Sequence, residues 1–359
     1  MENNKKKIAI YIGRFAPLHN GHIEVINYCN NNYDETIVLI GSKNKRRTIK
    51  NPFPVDLISN WILNSAKNTI VRSINDYLYS DNKWIAQVED LIYSIYNKNE
   101  CEFTIVGHEK DSSSFYLKIF PTWRIDLVPE FANGINATDI RETIFSGKIL
   151  GMDLANFLSK NTNNFVSLDI LKFMETKDFE DLLEEKKYFE NEEKKFKDYP
   201  YKDTLKFNCS DAVVVCDGNI LLIQRDRAPG KHIWALPGGF VTKNETYEQC
   251  AIRELFEETS LKVPEKVIKG SLKRSKIFDN PNRNIGIPRI TNAFYFEIQP
   301  DYKNGFPKLP KIKGADDARN AKWVSLAEVR HMILFDDHSD IIDYFVNSIW
   351  DKIKLILVN

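Results

Sequence analysis

A charged segment divides this chain of 359 residues into two parts whose hydrophobic patterns differ. From about residue 174 to 203 charged side chains predominate, and apolar residues recur near helical spacing: Phe179, Leu182, Leu183, Phe189 and Phe196. The pattern predicts an amphipathic connecting helix ended by Pro200, with a solvated helix as the simplest interpretation. One hydrophobic core seldom serves a chain this long. We therefore predict two domains, 1–175 and 203–359, joined by a charged helical linker at 176–202.

The two parts have different rhythms of secondary structure. Before the charged segment, helical stretches separate predicted strands at 8–12, 36–41 and 101–107. Alternation of this kind implies a parallel, doubly wound, Rossmann-like sheet. After the segment come short predicted strands at 211–216, 219–225 and 291–298. One strong predicted helix, at 246–258, lies among them. This second pattern predicts a mixed-sheet α/β sandwich.

The composition excludes several classes of protein. Fifty basic and fifty acidic side chains leave no net charge, which disfavours nucleic acid as a main partner. The five cysteines are odd in number and contain no CxxC pair, so we expect neither a disulfide framework nor a zinc knuckle. No stretch approaches the length that spans a membrane. We expect a cytoplasmic protein that does not associate with membranes.

The first candidate site is GRFAPLHNGH, which follows the first strand and leads into a helix. Backbone N–H groups and the helix dipole converge on an anion at such a turn. His19 and His22 are three residues apart and can face one bound group, to which Arg14 can add a charge-assisted bond. Two other interpretations remain open. His19 can simply cap the helix while His22 lies in the core, or both histidines can bind zinc.

These residues resemble a known superfamily. GRFAPLHNGH resembles the HxGH signature of nucleotidylyltransferases, and INATDIR (residues 135–141) resembles their ISSTxxR signature. Asn136, Thr138 and Arg141 stand at matching positions, although Asn136 and Ala137 replace the two serines. The resemblance implies that His19, His22 and Arg141 are catalytic.

Finer resemblances indicate the substrate. KNPFPVDLI (residues 50–58) resembles an element of archaeal-type nicotinamide mononucleotide adenylyltransferases, and IVGHEKD (residues 105–111) resembles the GHxKD of their Nudix-fused relatives. Trp84 stands where that family stacks an aromatic ring on nicotinamide, with Asp81 or Asn82 as candidate amide partners; plain core packing is the alternative for Trp84. The resemblance implies these substrate-binding residues: Gly13, Arg14, Phe15, Arg47, Trp84, Gly107, Asn136 and Thr138.

The implied reaction is attack of the mononucleotide phosphate on the α-phosphorus of ATP, which yields NAD and pyrophosphate. Such a transfer needs positioning and charge neutralisation more than a covalent nucleophile, so we assign no general base to this half. Mg²⁺ would screen the triphosphate. A basic loop either assists or is merely solvated: Lys43, Lys45, Arg46, Arg47 and Lys50.

The second candidate site is a helix that carries three carboxylates. Glu254, Glu257 and Glu258 stand at i, i+3 and i+4 and so share one helix face. Carboxylates this crowded repel each other unless a cation lies among them, and hard oxygen ligands suit Mg²⁺ or Mn²⁺. Such an ion neutralises a diphosphate and lowers the pKa of a bound water. The alternative is an exposed acidic face paired with Lys and Arg.

The same helix resembles the Nudix box, GX5EX7REUXEEXGU. The matching residues are Gly239, Glu245, Arg253, Glu254, Leu255, Glu257, Glu258 and Leu261. Ser260 replaces the usual glycine, which puts the turn geometry in question. The resemblance implies a Nudix α/β/α sandwich in which Arg253 orients Glu245 or the glutamate cluster. Glu257, Glu258 or an acidic residue of a later loop would activate the water.

Residues around the box resemble the ADP-ribose pyrophosphatase domains fused to this type of adenylyltransferase, including Asp316, Asp317 and Trp323, whose roles we leave open. The implied reaction splits ADP-ribose into AMP and ribose 5-phosphate. Rival interpretations for the first half are adenylylation or cytidylylation of another substrate such as phosphopantetheine. For the second half they are hydrolysis of other nucleoside diphosphate derivatives or a non-catalytic sensor, and for the whole chain a scaffold with two dead sites. The sequence does not decide whether the chain forms a homo-oligomer or accepts nicotinic acid mononucleotide.

Overall fold

The computed structural model describes residues 5–109, 112–131, 134–303 and 305–346. The chain folds into two compact units. The first contains Met1–Lys43 and Arg47–Leu183, and the second contains Asn44–Arg46 and Glu184–Asn359. The division passes through a helix, Lys177–Lys195 (α7). Among the described residues, no helix combines the length and the apolar character needed to cross a bilayer.

The first unit is built on a five-stranded sheet. Its strands are Lys6–Gly13 (β1), Glu35–Ile40 (β2), Thr69–Ser73 (β3), Cys101–Gly107 (β4) and Arg124–Leu127 (β5). They lie in the order β3-β2-β1-β4-β5, and every neighbouring pair is parallel. The predicted doubly wound architecture is confirmed.

Helices cover both faces of this sheet, which is why its central strands are apolar on both sides. Before α7 they are Asn20–Asn32 (α1), Val55–Ser65 (α2), Asp81–Ile95 (α3), Ala137–Ser146 (α4), Gly151–Asn161 (α5) and Asn164–Met174 (α6). Ile8, Ile10 and Ile12 of β1 pack in the core that contains α3. Ala9 and Tyr11 point into the opposite core, with the other helices.

The order of the strands locates the first site. The strands after β1 are added on one side of it as far as β3 and on its other side from β4 onward, so the order of strands reverses between β1 and β4. Ligands bind at the carboxyl edge of the sheet at such a switch point. Gly13 ends β1 there and Gly107 ends β4. A Cβ on Gly13 would lie 2.8 Å from the ring of the buried Phe15, so a larger residue at this turn would force that ring to move.

The connecting helix differs from its prediction in two ways. α7 ends at Lys195, before Pro200, and the chain continues through turns. One face of α7 is buried, so a wholly solvated helix is wrong. Phe179 is buried in the first unit and Phe189 in the second, and even Glu185 and Glu192 are buried. The amphipathic spacing is what produced this buried face.

The second unit is built on a mixed sheet. Its strands are Phe207–Cys216 (β6), Asn219–Arg225 (β7), Trp234–Ala235 (β8), Gly238–Phe240 (β9), Leu272–Phe278 (β10), Arg289–Ile298 (β11), Asp301–Lys303 (β12), Phe306–Lys308 (β13) and Ala318–Ser325 (β14). The main order is β10-β11-β6-β7-β14; β8 pairs with β7 and β9 with β6. Only β6 and β11 are parallel within it.

Helices pack on the two faces of this sheet and complete the predicted sandwich. They are Tyr247–Thr259 (α8), Glu265–Gly270 (α9), Leu326–Val329 (α10) and residues 338–346 (α11). Leu255 of α8 packs with Val214 and Phe296 on one face. On the other face, the ring of Phe345 from α11 stacks on Tyr295 with 5.7 Å between the centroids.

Candidate active sites

The two histidines of the first motif meet at the start of α1. His19 is the extended residue before the helix, and its backbone N–H lies 3.4 Å from Nδ1 of His22. Their rings stack with centroids 3.6 Å apart, and Phe15 contacts His22 edge-on at 5.0 Å. His19 therefore does cap the helix, as one alternative held. The capping contact leaves both rings at the carboxyl end of β1.

The charge state of this turn suits an anion. Burial, reinforced by His19 and Arg141, holds the pKa of His22 well below its usual value, so its ring is neutral at pH 7. A neutral imidazole still offers one N–H donor. Burial and the nearby charge of Arg14 also lower the pKa of Arg141, which stays a cation because guanidinium pKa values are so high. The neutral ring of His22 and the His19 ring stacked on it lie beside two cations, Arg14 and Arg141, and together they form a site for phosphate groups.

The second motif supplies Arg141 from α4. Its Nη1 donates to the carbonyl of Ala16 at 2.8 Å and its Nη2 to Oγ1 of Thr138 at 3.0 Å, which fixes the guanidinium beside the histidine turn. Asn136 is the N-cap of α4, where its Oδ1 accepts the N–H of Asp139 at 3.0 Å. Asn136 thus performs the capping role that a serine hydroxyl would otherwise fill.

Two residues at this edge were not predicted from the sequence. Asp76 follows β3, and its Oδ2 lies 3.7 Å from Nη2 of Arg14. The same carboxylate accepts the backbone N–H of Ser42 at 3.2 Å and its hydroxyl at 2.5 Å. No motif marked Asp76 or Ser42. Their position just after parallel strands was the available sequence clue.

Trp84 lies in the first turn of α3 among other aromatic rings. Phe120 is 5.8 Å and Tyr116 is 6.4 Å from it between ring centroids. Tyr116 donates its hydroxyl to the carbonyl of Ile12 at 3.2 Å, near the end of β1. Trp84 is half-buried, so both the core and the nicotinamide interpretations fit its position. Of the GHxKD element, residues 110 and 111 lie outside the described residues.

The basic loop does not act as one surface. Arg47 pairs with Asp178 at 2.7 Å and is exposed. Arg46 is buried in the second unit, where it pairs with Glu185 at 2.7 Å and Asp336 at 2.9 Å. Neither the phosphate-binding nor the solvated interpretation therefore holds for Arg46. A buried arginine is retained because its two carboxylate partners compensate for its lost hydration.

The second site is built on α8, whose ends are well defined. Thr246 and Gln249 form a capping box at its start. Ser260 ends it with φ of 46°, so serine takes the left-handed conformation in which glycine is usual. The replacement preserves the turn geometry.

The glutamates of α8 are not equivalent. Glu258 is buried, and its Oε2 accepts the backbone N–H of Gly238 at 3.0 Å. Glu254 lies so close against Gly239 that a Cβ at that position would collide with its carboxylate. Glu257 is about half exposed, with 46% of its side chain accessible. The glycines of β9 thus allow the backbone to approach two of the three carboxylates.

Arg253 connects the box. Its Nε and Nη2 bond both oxygens of Glu245 at 2.9 and 2.8 Å. Its Nη1 donates to Glu254 and Glu257, each at 2.8 Å. The pairing lowers the pKa of Glu245 to about 2. Arg253 therefore has the orienting position expected from the sequence.

The donor set fits a divalent cation. Burial raises the pKa of Glu258 to about 8 and that of Glu254 above its usual value, so the ionised pair is unfavourable until a cation joins it. Within the described ranges no three His, Cys, Asp or Glu side chains converge tightly enough to enclose an ion. The bonds of Arg253 to Glu254 and Glu257 hold those two carboxylates toward the guanidinium.

Comparison with known proteins decides the family. A cytidylyltransferase-like model matches residues 10–57 and a NUDIX domain model matches residues 207–345. The crystal structure of a bifunctional NMN adenylyltransferase/ADP ribose pyrophosphatase from Francisella tularensis is 32% identical, with a TM-score of 0.83, and covers 95% of this chain and 99% of its own. This chain belongs to that bifunctional family.

Each half of this chain is also similar to separate proteins that match that half alone. The nicotinamide/nicotinic acid mononucleotide adenylyltransferase of Acinetobacter baylyi is 34% identical over 147 residues, which are 39% of this chain and 77% of the relative. The ADP-ribose pyrophosphatase of Methanocaldococcus jannaschii is 31% identical over 134 residues, 37% of this chain and 70% of the relative. A second Francisella structure is complexed with AMP and a manganese ion; its TM-score is 0.82 at 32% identity, and it covers 96% of this chain and 99% of its own.

Asp316, Asp317 and Trp323, whose roles the sequence left open, make different contacts from one another. Asp317 pairs with Arg227 at 3.0 Å, and the indole of Trp323 donates to the carbonyl of Pro310 at 2.9 Å. Asp316 has φ of 50°, and its charge helps to raise the pKa of Glu254. Of the three, Asp316 is therefore the one whose field reaches the glutamates of α8.

Proposed function

We propose that this chain carries two activities of NAD metabolism, one in each domain. Residues 1–175 transfer AMP from ATP to nicotinamide mononucleotide, and residues 203–359 hydrolyse ADP-ribose to AMP and ribose 5-phosphate. The observation that carries the proposal is that both motif sets assemble in one chain: His19, His22 and Arg141 in the first, and the box around Arg253 in the second.

For the transfer, the residues of the first unit act by holding phosphates. A phosphate oxygen of the mononucleotide forms a bond to the α-phosphorus of ATP, and the bond from that phosphorus to the β-phosphate oxygen breaks. Imidazole N–H groups of His19 and His22 and the guanidinium of Arg141 stabilise the charge on the triphosphate. Their fixed positions supply the alignment that this reaction requires.

For hydrolysis, α8 and the glycines of β9 provide the framework. The oxygen of a water forms a bond to one phosphorus of ADP-ribose, and the bond from that phosphorus to the bridging oxygen breaks. The other phosphate leaves with the bridging oxygen, and the proton of the water passes to solvent. Glu254, Glu257 and Glu258 would hold Mg²⁺ or Mn²⁺. Such an ion neutralises the diphosphate and acidifies water. Arg253 holds Glu254 and Glu257 at the helix surface, and Gly238 holds Glu258.

Product analysis of the full chain tests both activities. With ATP and nicotinamide mononucleotide we expect NAD and pyrophosphate, and with ATP and phosphopantetheine we expect no adenylylated product and no pyrophosphate. With ADP-ribose we expect AMP and ribose 5-phosphate, lost on addition of EDTA and restored by Mg²⁺ or Mn²⁺. Formation of no NAD would end the first assignment. Hydrolysis that survives chelation would end the second.

Nicotinic acid mononucleotide belongs in the same assay, because the Acinetobacter relative is named for both mononucleotides. The two acceptors differ by an amide against a carboxylate. A ratio of kcat/KM values for the two measures the selectivity of the site near Trp84.

A further inference from the structure

The segment that leads into the glutamate box, residues 234–238, is bonded on both sides. On one side Gly238 pairs with Asp211 of β6, and Ala212 donates its N–H to the carbonyl of Pro237 at 2.8 Å. On the other side the chain returns from far along the sequence. The N–H of Phe335 donates to the carbonyl of Trp234 at 2.9 Å. The next N–H of the segment on this side, that of Leu236, donates to a side chain and not to a backbone carbonyl.

That side chain is His338. The backbone N–H of Leu236 donates to Nδ1 of His338 at 2.9 Å, and the ring is buried, with 5% of the residue exposed. Because Nδ1 accepts, the ring proton resides on Nε2. Nε2 lies 3.9 Å from Oδ1 of Asp211, so the imidazole lies between the 234–238 segment and β6. Burial lowers the pKa of His338, which keeps the ring neutral and able to accept.

Asp211 of β6 also contacts both the 234–238 segment and a neighbouring strand. Its Oδ2 accepts the hydroxyl of Thr291 at 2.6 Å, and its Oδ1 lies so close to Gly238 that no Cβ could be accommodated there. Gly238 in turn donates its N–H to Glu258. The backbone donor that fixes the buried glutamate is thus itself fixed by groups from β6, β11 and the carboxyl-terminal segment.

The carboxyl-terminal segment is a rigid support for this contact. Asp337, adjacent to His338, receives two bonds from Arg283 at 2.9 and 2.8 Å, and both side chains are buried. His338 begins α11, in which Ile341 and Phe345 are buried. A buried, bidentate pair beside a packed helix leaves the imidazole little freedom.

We propose that His338 is a positioning residue for hydrolysis: its Nδ1 acceptor holds the 234–238 backbone so that Gly238 presents its N–H to Glu258. The inference rests on the proposed hydrolase function. His338 touches neither the substrate nor the reacting atoms in this role. It acts as an outer support of the kind that tunes metal sites through their ligands.

Two polar substitutions separate this role from space filling. In His338→Asn, Oδ1 stands where Nδ1 stood and can accept the N–H of Leu236. In His338→Gln, the larger side chain fills more of the ring volume but carries its oxygen one bond further out. If the acceptor matters, asparagine is the better replacement; if only volume matters, glutamine is. His331→Gln, at an exposed position of the same unit, is the matched control.

Each full-length variant is assayed for ADP-ribose hydrolysis and, without substrate, titrated with Mn²⁺ by electron paramagnetic resonance. For His338→Gln we expect kcat and Mn²⁺ affinity to fall about 10- to 100-fold, with a similar KM. We expect His338→Asn and His331→Gln to stay near the unaltered chain. The thermal unfolding midpoint and circular dichroism of each variant report whether the second unit is folded, and NAD synthesis reports on the first unit.

Two results would overturn the proposal. One is a His338→Gln variant with unaltered Mn²⁺ affinity and turnover, and the other is a His338→Asn variant as impaired as His338→Gln. If the unaltered chain does not hydrolyse ADP-ribose, the proposed substrate fails. The manganese titration then still decides the role of His338, because it needs no substrate.

Discussion

Arg253 grips Glu245 with two parallel bonds, Nε to Oε2 at 2.9 Å and Nη2 to Oε1 at 2.8 Å. The two residues lie on opposite sides of the N-cap of α8, because Glu245 precedes Thr246 and Arg253 lies in the helix. The pair therefore ties the loop before the helix to the helix surface. The remaining guanidinium nitrogen is left to hold Glu254 and Glu257.

Replacing Arg253 by lysine should impair hydrolysis without unfolding the domain. A lysine ammonium is a point donor and cannot form the two-bond fork, so Glu245 and the glutamates lose their common anchor. We expect ADP-ribose turnover to fall about 10- to 100-fold. Turnover and the thermal unfolding midpoint are measured together. If Arg253→Lys keeps the turnover and the metal dependence of the unaltered chain, the two bonds from Arg253 to Glu245 do not orient the glutamates of α8.

The same pair predicts an acid-sensitive contribution to stability. Arg253 lowers the pKa of Glu245 from 4.5 to about 2, so folding favours its ionised form. The stabilisation is present above pH 4.5 and is lost as the pH falls toward 2. Urea unfolding of the full chain and of Glu245→Gln should therefore differ most above pH 4.5, with a difference that shrinks toward pH 2. A difference that is constant across this range would contradict the pairing.

Glu258→Gln should remove hydrolysis and spare the fold. The amide oxygen of glutamine can still accept the N–H of Gly238, so the local backbone keeps its bond. The lost negative charge removes a ligand for the divalent ion, and we expect a loss larger than the roughly 100-fold typical of outer-shell changes. Circular dichroism and NAD synthesis are the controls for folding. Full hydrolytic activity in this variant would take Glu258 out of the metal site.

The local patterns of the sequence were sufficient for most of the framework. The apolar runs predicted β1, β2 and β4, and the helix predicted at 246–258 matches α8 to within one residue at each end. β10 and β5 gave no comparable pattern, because β10 carries charged or polar residues at the four consecutive positions 273–276 and β5 has only four residues. Long-range pairing was beyond local patterns altogether. His338 reaches Leu236 across 102 positions, and nothing near either residue indicates that contact.

For the first site, His22→Ala should depress NAD synthesis and leave ADP-ribose hydrolysis unchanged. The neutral ring of His22 offers one N–H donor beside His19 and Arg141, and losing one such donor typically costs about 100-fold or more in turnover. Tyr28→Phe, further along the same helix as His22, is a useful control, because it removes only a hydroxyl that donates to Asp126 of β5. Equal damage to both activities in His22→Ala would indicate misfolding or coupled domains.

Substitutions at Trp84 and at its neighbour Phe120 distinguish a packing role for Trp84 from a role in substrate recognition. If its ring stacks on nicotinamide, Trp84→Ala should raise the KM for nicotinamide mononucleotide and leave the KM for ATP unchanged, while Trp84→Phe restores most of the affinity because a π-face remains. Phe120→Leu removes the ring that packs against Trp84 without removing Trp84 itself, and it should lower the unfolding midpoint with little effect on either KM. Steady-state kinetics with each substrate varied in turn measures both constants. An equal rise of both KM values in Trp84→Ala, matched by Phe120→Leu, would assign Trp84 to the core alone.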